Sequence, residues 1–175
     1  MDIRCEISGG LYSAVGKLPF FPVLLFVGSD KVTGDALAPI CGEMLKKMKP
    51  PCFLYGDLEN PVNAKNLKPT VEFIKRVHRE RKILVVDASV GVAEDIGKVK
   101  FLDCGIKPGK AVGRDFEPIG DMAIAGIVAA KDLKNQSISP VRLFSVTKMA
   151  EEIAREICVC AKSHAGRGKG NGRFI

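Results

Sequence analysis

Tryptophan is absent from this chain of 175 residues, and aromatic residues make up only 6% of it. Aliphatic side chains must therefore build most of the core in a chain of which 46% is hydrophobic. Long apolar runs are also absent: the longest, at about residues 18–27, is interrupted by Pro19 and Pro22 and has about half the ~20 residues of a membrane span. The polar start of the chain lacks the apolar stretch of a secretory signal. We expect one domain, without a membrane partner, in the cytoplasm.

Cysteine occurs six times, but no two cysteines have the Cys-x-x-Cys spacing that is typical of zinc ligands. Only Cys158 and Cys160 are close in sequence, and on a helix they would point in different directions. Without a secretory signal, reduced thiols are the expected state of all six. The sequence therefore predicts neither disulfides nor a zinc site.

Positive charge exceeds negative charge by seven, and much of the excess lies at the end of the chain. Lys162, Arg167, Lys169 and Arg173 carry four positive charges in a glycine-rich segment without acids. No pattern of aromatic residues interleaves with these charges, as binding of single-stranded nucleic acid would require. We interpret residues 163–175 as a flexible basic tail and expect no specific nucleic-acid partner.

Apolar runs alternate with amphipathic helical stretches, which predicts a parallel, doubly wound α/β sheet. Strands are predicted at residues 21–27, 52–55, 83–86, 99–102 and 123–128. Helices are predicted at residues 36–49, at 64–81 with a break at Pro69, and from Ser139 and Pro140 onwards. Residues 1–20 are expected to form an N-terminal arm with a turn at Gly9-Gly10, and residues 21–162 a single α/β domain. The predicted fold class is a three-layer α/β fold, with a mainly parallel five-stranded sheet flanked by helices.

Two aspartates follow the first and third predicted strands, which are neighbours in a flavodoxin-like sheet of order 2-1-3-4-5. The loop after the first strand runs from Gly28 to Asp35, and the third strand runs directly into Asp87. The two carboxyls would then face each other at the carboxyl edge of the sheet. Two close carboxyls cannot both ionise cheaply, so they can share a proton and divide into an acid and a base. Such a pair can activate water on an amide, or hold a metal ion that does.

Simpler roles remain open for both aspartates. Asp35 directly precedes a predicted helix and can cap it, while Asp87 can accept hydrogen bonds from a neighbouring loop. Phosphate binding by the loop from Gly28 to Gly34 is disfavoured, because its spacing matches neither a dinucleotide-binding nor a P-loop motif and its aspartates would repel phosphate. A Ser-His-Asp triad is disfavoured because the two histidines lie among arginines and in the tail.

Five ordered segments, within about residues 22–160, resemble the YyaC-type sporulation proteins. They read GSDKVTGDALAP (28–39), YGDLENPVNAKNL (55–67), VVDASVG (85–91), IKPG (106–109) and IGDMAIAGIV (119–128). That group is similar to germination protease, the endopeptidase that degrades small acid-soluble spore proteins, and to the hydrogenase maturation endopeptidases. The resemblance implies a phosphorylase/hydrolase-like fold and an endopeptidase that acts on a peptide or protein substrate in the cytoplasm of a sporulating bacterial cell.

The resemblance also implies the residues of the site. The proposed catalytic aspartates of germination protease match Asp35 and Asp87. Of the two, we expect Asp87 to be the acid, since it ends a buried strand, and Asp35 to be the general base, since it lies at a helix N-terminus. Supporting or substrate-binding roles are expected for Asp30, Thr33, Glu59, Asn60, Ser89, Gly109 and Asp121.

The maturation endopeptidases bind a metal ion through two acids and a histidine. Here Asn63 stands where related sequences often have histidine, and no histidine lies near a strand end, so a three-ligand site is not expected. The sequence predicts no cofactor, although Asp35, Glu59 and Asp87 can together offer carboxylates to a divalent ion. A catalytically inactive ligand-binding or scaffold protein of the same fold, a metal-dependent endopeptidase and a homo-oligomer all remain open.

Overall fold

The computed structural model describes residues 4–5, 7–107, 118–130 and 140–168, which form a six-stranded sheet covered by helices. The strands are β1 (Arg4–Cys5), β2 (Val23–Val27), β3 (Leu54–Tyr55), β4 (Ile83–Gly91), β5 (Lys98–Leu102) and β6 (Met122–Ala130). The helices are α1 (Ser8–Gly16), α2 (Leu37–Met48), α3 (Leu67–Val77) and α4 (Leu143–Gly168), with a 3₁₀ turn at Ala93–Asp95. The α/β class and the helix-flanked, mainly parallel sheet predicted from the sequence are confirmed.

The strand order is β1-β5-β6-β4-β2-β3. The strands β2, β3, β4 and β6 run parallel, and β5 runs antiparallel to β6. This order corrects the predicted one, because β6 rather than β5 lies beside β4. The connection from β4 to β5 comprises only residues 92–97, whereas a parallel crossover needs a dozen or more residues. The predicted adjacency of β2 and β4 is confirmed, and Val27 is paired with Asp87.

Both faces of the sheet are covered, which explains why its central strands are continuously apolar. Side chains at alternate positions of β2 and β4 point to opposite faces. One set packs with α1, α2 and α4 and comprises Leu24, Phe26, Leu84 and Val86. The other set packs with α3 and comprises Val23, Leu25, Ile83 and Val85. By the same alternation, Asp87 lies on the α3 face of the sheet.

The predicted N-terminal arm is corrected by the structure. Residues 8–16 form α1, in which Gly9 and Gly10 are helical rather than a turn. Leu11 and Val15 lie one helical turn apart and are buried in the core. Packing of this apolar stripe outweighs the low helix propensity of the glycines, so the segment belongs to the domain.

The later helices also differ from their predicted bounds. In α3, Pro69 lies within the first turn and does not break the helix, because a proline at that position sacrifices no intrahelical hydrogen bond. The helix α4 begins at Leu143 rather than at Pro140, and Ser139 lies outside the described residues. It continues to Gly168, so residues 163–168 are helical and do not belong to a tail.

Candidate functional site

The carboxyl ends of β2 and β4 lie side by side, but β4 is longer. Val27 is the last residue of β2 and pairs with Asp87, while β4 continues to Gly91 beside β6. Asp87 therefore lies within its strand instead of following it, as the sequence had suggested. Strands on both sides cover it, and the residue is only 4% exposed.

The loop after β2 folds back and returns Asp35 to the end of that strand. The backbone N–H of Ser29 donates a hydrogen bond to the carbonyl oxygen of Asp35 at 3.2 Å. Gly28 has a φ of 156°, and a Cβ at this position would stand 2.1 Å from the same oxygen. Only glycine fits so close an approach in this backbone conformation. The glycine at the strand end thus allows the loop to bring the second carboxyl beside Asp87.

The start of α2 is seated over β6. A Cβ on Gly126 of β6 would stand 2.3 Å from the Cδ2 of Leu37, the first residue of α2. A Cβ on Gly34 would stand 3.2 Å from Val128, also on β6. The N-cap of α2 is Ala36, and no side chain makes a capping hydrogen bond there. Asp35 is therefore positioned at the sheet edge without acting as the helix cap.

The electrostatic state of Asp87 follows from its surroundings. Burial, followed by the nearby carboxyl of Asp35, raises the pKa of Asp87 to about 8, against the opposing effect of a hydrogen bond from the Ala88 backbone. Asp87 therefore keeps its proton at neutral pH.

The carboxyl of Asp35 is partly buried. Burial raises its pKa, and a hydrogen bond with the Ser29 backbone partly opposes that rise. Within the described part of the chain, no lysine or arginine forms an ion pair with Asp35 or Asp87. The site consequently holds two interacting carboxyls of unequal burial, an arrangement that can divide into an ionised base and a protonated acid.

Three further predicted residues lie on the same loop or strand as the two carboxyls. Asp30 and Thr33 are exposed on the loop between β2 and α2. Ser89 lies two residues beyond Asp87 on β4, on the same face of the sheet, and is partly buried.

Glu59 and Asn60 lie in the loop after β3, but their contacts serve other groups. The carboxylate of Glu59 is 76% exposed and pairs with Lys46 of α2 at 3.3 Å. The backbone N–H of Asn60 donates to Asp57 at 2.7 Å. Neither residue is joined to the carboxyl pair by a hydrogen bond or an ion pair of the described chain.

Asp121 is a correction to the predicted site. One of its carboxylate oxygens accepts a hydrogen bond from Lys82 at 2.7 Å, and the other accepts one from the backbone N–H of Ile83 at 2.9 Å. These contacts join the beginnings of β4 and β6, about 13 Å from Asp87 along the strand. Asp121 therefore stabilises the opposite edge of the sheet. Gly109 lies outside the described residues.

The sequence reasoning missed Asp57, which shapes the loop beside the site. Its buried carboxylate accepts hydrogen bonds from Lys46 at 2.8 Å and from the Asn60 backbone. The loop then returns to the end of β2, where the N–H of Gly28 donates to the carbonyl of Val62 at 2.8 Å. An aspartate in a polar loop between Gly56 and Pro61 is the signal that could have indicated this turn.

A three-ligand metal site does not fit the residues present. The described chain contains no group of three or more histidine, cysteine, aspartate or glutamate side chains placed to hold a metal ion. Glu59 is directed to Lys46, and His78 shares a 2.9 Å hydrogen bond with the Tyr55 hydroxyl. Asn63 accepts a hydrogen bond from the Lys65 backbone at 3.1 Å. The described residues offer two carboxyls here and no third ligand.

Among the described residues, no helix combines the length and the hydropathy that a membrane span requires.

Comparisons with known proteins confirm the YyaC-type resemblance. Residues 2–156 match a family model described as "Protein of unknown function (DUF1256)". A curated relative, "Uncharacterized protein YyaC" of Bacillus subtilis (strain 168), is 34% identical over 155 residues, which cover 87% of this chain and 74% of the relative.

A solved structure shares the fold. The crystal structure of a NiFe hydrogenase maturation protease, HycI from Thermococcus kodakarensis KOD1, superposes with a TM-score of 0.58 at 18% sequence identity. The superposition covers 87% of this chain and 99% of the other. At this identity the comparison establishes a common fold.

Proposed function

This chain belongs to the DUF1256 family of proteins of unknown function, and from that premise we propose that it hydrolyses peptide bonds with water activated between Asp35 and Asp87. The observation that carries the proposal is the pair of the buried Asp87 and the partly buried Asp35 at the carboxyl edge of the parallel strands, where α/β sheets bind their ligands. A strongly raised carboxyl pKa beside a second acid is a typical feature of acid–base sites.

The two carboxyls have different tasks in the proposed reaction. Asp35, ionised, takes a proton from a water molecule, and the water oxygen forms a bond to the carbonyl carbon of the peptide. Asp87 gives its proton to the leaving nitrogen as the C–N bond breaks. The products are a new carboxyl group and a new amino group, and the proton left on Asp35 passes back to Asp87 to restore the pair.

The proposed substrate is a protein chain, and the proposed setting is the cytoplasm of a sporulating bacterial cell. Both follow from the resemblance to germination protease, whose substrates are small acid-soluble spore proteins. The maturation protease named above has the same fold and supports a peptidase rather than another hydrolase.

The test is incubation of the purified chain with a small acid-soluble spore protein and, separately, with unfolded casein, followed by mass spectrometry of the fragments. Cleavage at defined bonds is the expected result. Its rate should fall as the pH rises through about 8, because Asp87 then loses the proton that the leaving nitrogen needs.

Asp103→Asn is the matched control for loss of a carboxylate. Asp103 is exposed and follows β5, which runs antiparallel, so it lies away from the edge that carries Asp87. This variant should cleave like the wild type. If the wild-type protein cleaves neither substrate, the proposal is overturned in favour of a non-catalytic ligand-binding or scaffold protein of the same fold.

A further inference from the structure

A second surface, rich in arginine and aromatic side chains, lies at the amino ends of the strands. Phe20, Phe53 and Arg81 each precede one of the parallel strands β2, β3 and β4. This edge is opposite to that of Asp87. The arginine–aromatic surface is defined here by Phe20, Phe53, Arg76, His78, Arg79 and Arg81.

Planar groups are stacked at the centre of this surface. The guanidinium carbon of Arg81 lies 5.0 Å from the ring centroid of Phe20 and 5.0 Å from that of Phe53. The Phe53 ring in turn lies 4.3 Å from the ring of His78. Arg81 also donates a 2.8 Å hydrogen bond to the carbonyl of Phe21, which fixes the guanidinium between the two rings.

Both phenylalanine side chains keep part of their surface exposed despite these contacts. Phe20 is 41% exposed and Phe53 is 46% exposed. Two depressions of about 480 and 680 Å³ are each lined in part by Phe20 and Arg81. Both volumes are in the range of small-ligand sites. Adjacent exposed aromatic side chains of this kind can mark an interaction site.

The charge of this region is strongly positive. Residues 75–82 contain five lysines and arginines and a single acid, Glu80. Of these cations, Lys82 pairs with Asp121, while Arg76, Arg79 and Arg81 form no ion pair in the described chain. The end of α4 adds Arg167 beside the smaller depression, and the sequence continues with Lys169 and Arg173.

The fold therefore places aromatic side chains beside the positive charges at the end of α4. No aromatic pattern interleaves with the charges of the tail, but α4 ends beside Phe20 and Arg81, which come from distant parts of the chain. Stacking platforms and cationic groups together are the two components by which proteins bind single strands.

We propose that the arginine–aromatic surface binds single-stranded nucleic acid without base specificity. Arg76 and Arg79 contact phosphates, and bases pack against the exposed parts of the Phe20 and Phe53 side chains. An acidic protein would use the arginines but would leave the exposed rings unexplained, so the nucleic acid is the better match. The inference does not depend on the proposed peptidase activity, since its residues lie at the other edge of the sheet.

Binding is measured by fluorescence anisotropy with a labelled single-stranded DNA of mixed sequence and about 20 nucleotides, at about 50 mM salt and above. Arg76→Ala/Arg79→Ala should weaken binding at least tenfold and reduce the slope of log affinity against log salt by about 1.4. Lys65→Ala/Lys68→Ala removes the same charge from exposed positions at the other end of α3 and is the matched control. It should leave affinity within about twofold.

The stacking component is tested with Phe20→Leu/Phe53→Leu, which keeps apolar bulk but removes the rings. We expect a loss of about tenfold or more with an unchanged salt slope. Circular dichroism of each variant establishes that it is folded, and the arginine pair provides an independent test.

Three results would overturn the proposal. The first is no binding of the oligonucleotide by the wild-type chain at the lowest salt. The second is an equal loss in the Lys65/Lys68 control, or no loss in the leucine variant, which would reduce the interaction to general charge attraction. The third is displacement of the oligonucleotide by a polyglutamate peptide at lower concentration than by unlabelled oligonucleotide, which would identify an acidic protein as the partner.

Discussion

Asp57 and Asp87 are buried to nearly the same degree, 6% and 4% exposed, yet their pKa values shift in opposite directions. Burial alone would raise the pKa of Asp57, but hydrogen bonds from Lys46 and from the Asn60 backbone lower it. Burial, followed by the carboxyl of Asp35, raises the pKa of Asp87, which has no cationic partner among the described residues. At Asp57 the hydrogen bonds outweigh the effect of burial on the pKa, whereas at Asp87 the hydrogen bond from the Ala88 backbone does not.

Ionisation has opposite effects on stability at the two residues. Asp57 gains from its ionised state, because that state holds the loop after β3 to Lys46 of α2. Asp87 gains nothing from ionisation and is held neutral at some expense to stability. A carboxyl that the fold keeps in an unfavourable environment, next to a second acid, is a candidate for chemistry.

The largest expected effect is on turnover. Asp35→Asn and Asp87→Asn should each lower kcat about 100-fold or more, because each removes one half of the acid–base pair. Asp57→Asn should leave kcat within a few-fold, provided that the assay is run well below its melting temperature. The measurement is the initial rate of cleavage of the substrate identified in the incubation experiment. Full activity in both site variants, with lowered thermal stability, would make the two aspartates structural.

The next effect is on stability and separates Asp87 from Asp57 without any substrate. The folded pKa of Asp87 is raised to about 8, so its contribution to stability is complete below the unfolded pKa and is lost as the pH rises to about 8. At neutral pH the raised pKa lowers the free energy of unfolding by about 4 kcal/mol, and Asp87→Asn removes this effect. The substitution also buries amide hydrogens that need hydrogen-bond acceptors. We expect a net stabilisation on the order of 2 kcal/mol at neutral pH, measured by urea unfolding.

The matched measurement at low pH is the control for this effect. Below the unfolded pKa of aspartate, the wild-type carboxyl is protonated in both states, so the advantage of Asp87→Asn should vanish. A variant that is less stable than the wild type at every pH would show that Asp87 is not held in the unfavourable environment inferred from its burial.

Asp57→Asn should have a smaller effect of opposite sign. Its folded pKa is lowered, so its contribution is present above the unfolded pKa and is lost as the pH falls through the folded pKa. Loss of the charged partner of Lys46 and weakening of the turn at Asn60 should destabilise the protein by about 1–2 kcal/mol at neutral pH. Urea unfolding at neutral and acidic pH provides the test, and an unchanged stability at neutral pH would contradict the role assigned to Asp57.

The sequence predicts the region of the carboxyl pair from the adjacency of β2 and β4, whereas the return of Asp35 by the loop after β2 depends on the close approach at Gly28. Apolar runs identify β2 and β4, and neighbouring parallel strands necessarily bring their carboxyl ends together. The place of Asp121 was also available from the sequence, since a residue that precedes a parallel strand lies at the amino edge. The predicted places of β5 and β6 were exchanged because the connection after β4 is short. Its length can be judged only once β4 is known to extend to Gly91.

Other features depend on contacts between distant segments and have no local signal. The direction of Glu59 is set by Lys46 on α2, and the stacking of Arg81 between Phe20 and Phe53 requires three strands to be placed first. The burial of α1 likewise depends on α4, against which it packs. Such features are set by tertiary structure, and propensity and periodicity contain little information on them.

The smallest expected effect concerns Glu59, the carboxylate that the sequence placed in the site. It is 76% exposed and pairs only with Lys46, itself half exposed, so the pair is screened by water and salt. Lys46 retains its shorter bond to Asp57 when Glu59 is neutralised. Glu59→Gln should therefore leave the melting temperature within about 1 °C and kcat within about twofold, in contrast to both Asp57 and Asp87. Thermal unfolding and cleavage rates, each with and without added Mg²⁺, provide the measurement. A large loss of cleavage in Glu59→Gln that appears only with Mg²⁺ present would mean that the loop after β3 turns Glu59 toward Asp35 and Asp87 around the ion. Glu59 would then belong to the functional carboxyls rather than to the structural ones.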